Sequence, residues 1–146
     1  MLNLLWPAII AGSDYKIKKH REENDNVYTY ADDNIKITTY HNYGAFLNMG
    51  EKKPAVVLFL SAVITLILGL IFIITLTMKG KNALKFGLGI LLGGAFSNTY
   101  DRISKGYVVD YLSFPHAPGK LKNIVFNISD FAIIIGSLIS VWCDKV

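Results

Sequence analysis

Two aspartates stand where an ionisable side chain is costly to keep. Asp110 lies near the end of the run GGAFSNTYDRISKGYVVDY, and Asp130 lies early in the apolar run FNISDFAIIIGSLISVWC. A carboxylate at membrane depth costs on the order of 2.5 to 3.5 kcal/mol on insertion scales, so it persists mainly where it has a function or a partner. Two carboxylates about 3 Å apart cannot both ionise easily and share one proton. Such a pair predicts acid–base chemistry without a covalent intermediate.

Further polar residues lie near both aspartates at helical spacing. Asn98, Asp101 and Arg102 are at i, i+3 and i+4 on one helix face, and Asn127 and Asp130 are at i and i+3 on another. The two asparagines could orient a substrate backbone or the aspartates by neutral hydrogen bonds. For Asp101 and Arg102 the spacing favours a structural ion pair, buried or interfacial, that fixes the third helix.

Each of these residues also has a simpler interpretation. Asp110 alone would be a solvated loop residue, and Asp130 would be a helix-start carboxylate stabilised by the helix dipole. The dipole effect is typically under about 1 kcal/mol and does not explain Asn127 beside it. The lysines at 16–21 have acidic residues before and after them, which indicates a surface segment. The three histidines are expected in wet polar segments without ligand roles: His20, His41 and His116.

The composition indicates one small integral membrane domain over residues 1–146. The chain is 52% hydrophobic and 18% charged, and its mean hydropathy is positive. The stretch 54–78 has no charge and as a helix would cover roughly 37 Å, which is a full membrane span. The uncharged part of the first helix has about 13 residues, so it spans only if the lysines after it snorkel to the interface.

The elements that position the polar residues follow from this pattern. We predict a mainly α, polytopic membrane fold with a small extramembrane β cradle at about 22–53, where aromatic and β-branched residues flank the turn-prone ADDN. Residues 104–123 are predicted to be a loop that carries Asp110 back between the two polar clusters. Gly89 and Gly93 form a GxxxG spacing that predicts a close helix contact. The four transmembrane helices are predicted at about 1–21, 54–78, 83–103 and 124–142.

Residue types for several other chemistries are missing from the sequence. Cys143 is the only cysteine, so no internal disulfide is expected, and no Cys and His spacing indicates a zinc site. The glycine-rich third helix is not followed by the Lys-Ser/Thr pair of a phosphate loop. The apolar start 1–13 has no basic region before it, so a cleaved signal peptide is not expected. We therefore expect no metal, no cofactor and no nucleic-acid partner.

The order of these motifs resembles the lipoprotein signal peptidases, the signal peptidase II family, over most of the chain. Upstream, YHNYGAF is similar to the family's Asn-x-Gly-Ala stretch, with Asn42 as its asparagine, and Asp14 falls at the acidic position that ends the family's first helix. The family's pattern of Gly-Gly, Asn, Asp-Arg, Gly, Val-Val-Asp and Phe-Asn-x-x-Asp matches Gly93, Gly94, Asn98, Asp101, Arg102, Gly106, Val108, Val109, Asp110, Phe126, Asn127 and Asp130.

The resemblance implies an intramembrane aspartyl endopeptidase that removes the signal peptide of a prolipoprotein before its diacylglyceryl-modified cysteine. It implies that Asp110 and Asp130 are catalytic. It also implies a multi-pass enzyme of the bacterial cytoplasmic membrane, with its site toward the outer face, surrounded by membrane lipids and blocked by globomycin-type inhibitors. We expect a monomer. The residues expected to support the site or the substrate are Asn98, Asp101, Arg102, Asn127, Asn42 and Asp14.

The chain departs from the family's pattern at three places. It has DYKIK where Asp-Gln followed by Thr-Lys is usual, which changes Tyr15, and it has Ser129 in place of the usual Ala and Phe131 where Ser is common. The aspartates match, so the sequence predicts a divergent member that retains catalysis. Two alternatives stay open: an inactive relative that binds lipoprotein precursors, and a small proton-coupled carrier that uses the aspartates as relays. A carrier would be expected to show repeated, symmetric helix pairs, which the sequence lacks.

Overall fold

The computed structural model describes residues 2–45 and 49–144. Helices make up most of the chain, as predicted, and the remaining regular structure is one small antiparallel sheet with strand order β1-β2-β3-β4. The helices are α1 Trp6–Glu23, α2 Pro54–Thr77, α3 Asn82–Lys105 and α4 Ile128–Asp144. The strands are β1 Tyr28–Tyr30, β2 Ile35–Asn42, β3 Val108–Ser113 and β4 Val125–Phe126. Short 3-10 helices occupy Leu2–Leu4 and Leu121–Asn123.

Helix α2 has the clearest membrane character. It begins with Pro54, at a position where the missing backbone N–H would have no helical partner. Among the described residues it is the one helix long and apolar enough to cross a membrane by length and composition, and α4 is a shorter apolar helix. Phe59 and Leu66 of α2 are each 66% exposed. Such a broad exposed apolar face is suited to contact with lipid.

Helix α3 lies at the centre of the bundle and packs against each of the other three helices. Glycines permit the close approach. A Cβ at Gly93 would lie 2.8 Å from the carbonyl oxygen of Pro7 in α1, and one at Gly94 would lie 2.5 Å from that of Ser129 in α4. A Cβ at Gly89, the other member of the predicted GxxxG pair, would also meet α1. The glycines therefore let α1 and α4 pack closely against two different faces of α3.

We expect Gly94→Ala to destabilise the protein, because the added methyl group would overlap the Ser129 carbonyl oxygen and push α3 and α4 apart. Overpacking of this kind typically costs about 1–3 kcal/mol. The thermal unfolding midpoint of the purified protein should fall by about 4 °C or more. Gly69→Ala in α2 is the matched control, since a Cβ there meets no atom within 4 Å. Equal midpoints for the two variants would contradict the close packing.

The strands of the sheet come from two separate segments of the chain, whereas the sequence predicted a sheet from one segment. The predicted cradle contained residues 22–53 alone, and 104–123 was expected to be a loop. Instead, β3 pairs antiparallel with β2, placing Asp110 opposite Tyr40. The neighbouring Val108 and Val109 are buried and β-branched, which stabilises a strand at this position.

The helix boundaries differ from the predicted ones at α1 and α4. Helix α1 begins at Trp6 rather than near residue 1, because a 3-10 helix occupies Leu2–Leu4 before it. Helix α4 begins at Ile128 rather than near 124, because β4 and a 3-10 helix occupy the residues before it. The predicted positions 1, 46–48, 145 and 146 lie outside the described residues.

The prediction of a surface segment at 16–21 is wrong for two side chains. Lys18 is fully buried and Arg21 is 4% exposed. Arg21 donates hydrogen bonds from Nη2 to the backbone oxygen of Asn26, at 2.7 Å, and to Oγ1 of Thr39 in β2, at 3.2 Å. These contacts connect the end of α1 to the sheet. The burial of Lys18 places a positive charge inside the bundle.

Candidate active site

Asp110 projects from β3 and is 1% exposed. Its two carboxylate oxygens accept hydrogen bonds from different amides. Oδ1 accepts from Nδ2 of Asn127 at 2.6 Å, and Oδ2 accepts from Nδ2 of Asn42 at 2.9 Å. The Asn42 Oδ1 in turn accepts from the backbone N–H of Gly44, which fixes the orientation of that amide. Asp110 is therefore positioned by uncharged donors on both sides.

Asn127 and Asp130 form a capping box at the N-terminus of α4. The Asn127 Oδ1 accepts from the backbone N–H of Asp130 at 2.9 Å, and the Asp130 Oδ2 accepts from the backbone N–H of Asn127 at 3.0 Å. This reciprocal pair satisfies two of the N–H groups that the first helical turn leaves without partners. Asn127 thus caps the helix with one end of its amide and contacts Asp110 with the other.

Asn98 of α3 completes the connection between the two aspartates. Its Nδ2 donates to Oδ1 of Asp130 at 2.9 Å, and its Oδ1 accepts from Nδ2 of Asn127 at 3.1 Å. The structure therefore brings together Asp110, Asp130, Asn98 and Asn127, four of the residues that the sequence placed in one site.

Asp101 faces away from the two aspartates. Its Oδ2 lies 3.0 Å from Nζ of Lys18, and its Oδ1 lies 3.2 Å from Nζ of Lys105. The predicted ion pair between Asp101 and Arg102 is wrong, because consecutive residues of a helix do not face each other. Asp101 instead connects α3 to α1.

Arg102 lies on the site side of α3. It donates from Nη2 to the backbone oxygen of Gly44 at 2.7 Å and from Nη1 to the backbone oxygen of Asn98 at 3.2 Å. Its buried Nε has no hydrogen-bond partner among the described residues. The guanidinium therefore joins α3 to the segment after β2.

Asp14 of α1 is fully buried and accepts donors from three other elements. Its Oδ1 accepts from the Tyr111 hydroxyl of β3 at 2.9 Å. Its Oδ2 accepts from Ser97 Oγ of α3 at 2.7 Å and from Ser129 Oγ of α4 at 2.6 Å, and it lies 2.7 Å from Lys18 Nζ. Asp14 thus anchors α1 to the elements that carry the site without contacting either catalytic candidate.

A cavity of about 580 Å³ borders the two aspartates. It lies in the gap between α2 and α4, with α3 behind it. Its polar wall is formed by Asn42, Asn98, Arg102, Asp110 and Asp130, and its apolar walls include Ile64 and Leu68 of α2 and Ile133 and Ile134 of α4. One end of the cavity can therefore hydrogen-bond a polar chain while the rest accommodates hydrocarbon.

Known proteins share both the sequence pattern and this fold. The family model described as signal peptidase (SPase) II matches residues 8–144. The chain belongs to the signal peptidase II family. This confirms the resemblance found in the sequence motifs.

Two relatives named lipoprotein signal peptidase illustrate the similarity to the signal peptidase II family. That of Caldanaerobacter subterraneus subsp. tengcongensis is 35% identical over 104 residues, covering 70% of this chain and 66% of the relative, just under two thirds of its length. That of Moorella thermoacetica is 30% identical over 142 residues, covering 97% of this chain and 89% of the relative. A solved bacterial membrane enzyme has the same fold, with a TM-score of 0.83 at 19% identity over 99% of this chain and 87% of its own.

The electrostatics of this signal peptidase II distinguish Asp110, which lies on a strand outside the helices. The pKa of Asp110 is raised to about 7, chiefly by burial and also by the nearby Asp130, while hydrogen bonds from Asn42 and Asn127 oppose the shift. A carboxyl group that keeps a proton near neutral pH can act as a general acid. Among the residues described, no three His, Cys, Asp or Glu side chains converge on a metal position.

Four buried side chains around the site are not predicted by the sequence as site residues. One of them, Ser129, is a departure from the family's usual Ala, and its hydroxyl supplies one of the four contacts to Asp14. Tyr111 accepts from the backbone N–H of Ile128 at 3.0 Å and so satisfies another donor of the first turn of α4. The i, i+4 spacing of Asp14 and Lys18 was a local signal for their ion pair. The full set is Lys18, Ser97, Tyr111 and Ser129.

Proposed function

We propose that this signal peptidase II removes signal peptides from prolipoproteins with Asp110 and Asp130 as its catalytic dyad. The observation that carries the proposal is that both carboxylates border one cavity and are connected through Asn127 and Asn98. The ionised member takes a proton from the attacking water molecule, while the protonated member donates its proton to the scissile carbonyl oxygen. When the tetrahedral intermediate collapses, the first member passes the water-derived proton to the leaving amine, and the second recovers a proton from the intermediate's hydroxyl group. The two carboxyl groups titrate as a pair, so the shared proton belongs to the dyad.

The shape of the cavity supports a lipid-modified peptide as the substrate. The gap between α2 and α4 has apolar walls, in which the hydrophobic part of a signal peptide can lie while acyl chains remain among the membrane lipids. Arg102 and Asn98 line the polar end, where their N–H groups can bind backbone oxygens around the scissile bond. One chain carries both aspartates, so we propose that the enzyme acts as a monomer.

We place the dyad at the outer face of the bacterial cytoplasmic membrane, with all four helices crossing it. Asp110 follows the end of α3 and Asp130 lies in the first turn of α4, so both aspartates are at one face of the bundle. The connection between α2 and α3 is at the opposite face, and residues 79–85 contain three lysines and no acidic residue. Short basic connections are retained on the cytoplasmic side of membrane proteins.

Cleavage of a matched pair of precursor peptides tests the proposed function. One peptide carries a diacylglyceryl-modified cysteine and the other has the same sequence with the free thiol. The purified enzyme should cut the lipidated peptide immediately before the modified cysteine and leave the other intact, and a globomycin-type cyclic peptide should block the reaction. An inactive relative would bind the lipidated peptide without cleaving it. Cleavage at another bond, or equal cleavage of both peptides, would contradict the proposed substrate.

We expect kcat/KM for the lipidated precursor to fall as pH rises through about 7. The reason is that burial raises the pKa of Asp110 to about 7, and above that value the dyad loses the shared proton that its general acid requires. Initial rates measured between pH 5 and 9 should show this alkaline limb.

The variant His41→Gln is the control for the pH dependence. His41 is exposed on β2, the strand paired with β3, and histidines as a class titrate near neutral pH. The alkaline limb should persist in this variant. A limb that disappears with His41, or a flat profile to pH 9 in the wild type, would rule out titration of the dyad as its origin.

A further inference from the structure

Lys18 is a fully buried ammonium group behind the proposed dyad. Its Nζ lies 2.7 Å from Oδ2 of Asp14 and 3.0 Å from Oδ2 of Asp101. It also donates to Oδ1 of Asn98 at 2.9 Å and to Oγ of Ser97 at 3.2 Å. Two carboxylates alone would suffice as its ionic partners. The hydrogen bond to Asn98 is a separate interaction, because Asn98 in turn donates to Asp130 in the site.

Lys18 belongs to a connected group of charged side chains. Asp14 and Asp101 contribute two negative charges, and Lys18 and Lys105 contribute two positive charges through contacts of 2.7 to 3.2 Å. Glu22, which is partly exposed, adds a third carboxylate 2.7 Å from Lys105. We refer to these five residues as the ionic cluster. Removal of Lys18 alone would leave a larger net negative charge close to two further carboxylates, Asp110 and Asp130. The cluster therefore influences the dyad through its charge as well as through the hydrogen bond to Asn98.

Lys18 and Nδ2 of Asn127 together fix which end of the Asn98 amide faces Asp130, because both donate to its Oδ1. An ammonium group only donates hydrogen bonds, so the atom that faces it must be Oδ1, which leaves Nδ2 to donate to Asp130 at 2.9 Å. In the flipped amide, the NH2 group would face the ammonium and the oxygen would face the carboxylate. Both contacts would be repulsive. Asn127 needs no such help, because the backbone N–H of Asp130 already fixes its oxygen.

We propose that Lys18 is a positioning residue that orients Asn98 as a donor to Asp130 and holds a positive charge behind the dyad. The proposal rests on the assignment of Asp110 and Asp130 as the dyad. Burial is the main influence on the pKa of Asp110 and raises it, while the charge of Lys18 opposes this increase. The other charged or titratable groups that face Lys18 or its partners are Asp14 on α1, Asp101, Arg102 and Lys105 on α3, Tyr111 on β3 and Asp130 on α4.

The variant Lys18→Met tests this role by removing the charge and the donors while filling the space. With the lipidated precursor, kcat should fall by at least roughly tenfold, because Asn98 Oδ1 loses one of its two donors and the amide is held less firmly, while KM changes by less than about twofold. The pH optimum should rise by about half a unit or more, because a lost positive charge makes the dyad harder to ionise. The control is Lys19→Met. Lys19 is the next residue, its side chain is 62% exposed, and its replacement should change neither quantity.

Two further variants separate positioning from charge balance. Lys18→Met combined with Asp14→Asn removes one positive and one negative charge together and leaves the net charge of the cluster unchanged, so it should fold and still show the lower kcat. Lys18→Arg retains the charge and the donors and should keep the wild-type pH optimum. A double variant with wild-type kcat, or a shifted optimum in Lys18→Arg, would overturn the proposal. Cleavage by Asp110→Asn would instead refute the dyad, so the two failures are distinguishable.

Discussion

Asp110→Asn and Asp130→Asn should each reduce cleavage of a lipidated precursor by at least about a thousandfold, since either change removes the general acid or the general base. The amide has nearly the same shape as the carboxylate. Neither aspartate has a salt-bridge partner within 4.0 Å among the residues the structure describes, so neutralisation leaves no opposite charge unpaired. Initial rates at saturating precursor test the loss of cleavage. Thermal unfolding in the same detergent tests whether each variant keeps the stability of the wild type.

Asp25→Asn is the matched control for the dyad variants. Asp25 is exposed in the connection between α1 and β1, so the same chemical change there should leave cleavage at the wild-type rate. If either dyad variant retained more than a few per cent of wild-type turnover, its aspartate would not be part of the catalytic machinery. Loss of the unfolding transition in a dyad variant would show a structural role instead.

Asn127→Ser should reduce turnover by at least roughly tenfold, an increase of about 1.4 kcal/mol in the barrier, with little change in thermal stability. Serine caps a helix about as well as asparagine, so the hydrogen bond to the backbone N–H of Asp130 can be replaced. Serine has no NH2 group to donate to Asp110 and Asn98, which Asn127 contacts at 2.6 and 3.1 Å. The substitution therefore removes the site contacts and keeps the cap.

Asn127→Ala should lose both functions and about 1 kcal/mol of additional stability. Asn123→Ser is a suitable control, because Asn123 is exposed four residues earlier and the same substitution there should be neutral. Wild-type turnover in Asn127→Ser would restrict Asn127 to helix capping. The site would then consist of the two aspartates and the third-helix residue Asn98.

The parts of the fold that depend on local pattern were predictable from the sequence. The uncharged run 54–78 predicted α2, which extends from Pro54 to Thr77. The ordered spacing of polar residues predicted that Asn98 and Asn127 would accompany the aspartates. The strand that carries Asp110 was missed, because six residues next to a helix end have little local signal. That strand forms because β2, more than 60 residues earlier, is available as its partner.

The burial of Lys18 could not be predicted for a different reason. A basic residue among polar and acidic neighbours has the same local pattern whether it faces solvent or the interior. Its burial depends on Ser97 and Asn98, which are 79 and 80 residues away along the chain. The sequence therefore indicated the right position for Asp14 and the wrong environment for the lysine one turn later.

At the start of α4, the same capping-box hydrogen bonds keep the first helical turn folded and hold the proposed site residues in position. Asp130 is held in place by its contact with the Asn127 backbone, and that contact exists only while the first turn is wound. Fraying of this turn would loosen Asp130, the proposed catalytic carboxylate, together with the amide of Asn127, even with the rest of the bundle intact. Heat or detergent can therefore inactivate the enzyme under milder conditions than those that unfold the bundle. A ligand that fills the cavity would protect activity by stabilising the first turn of α4.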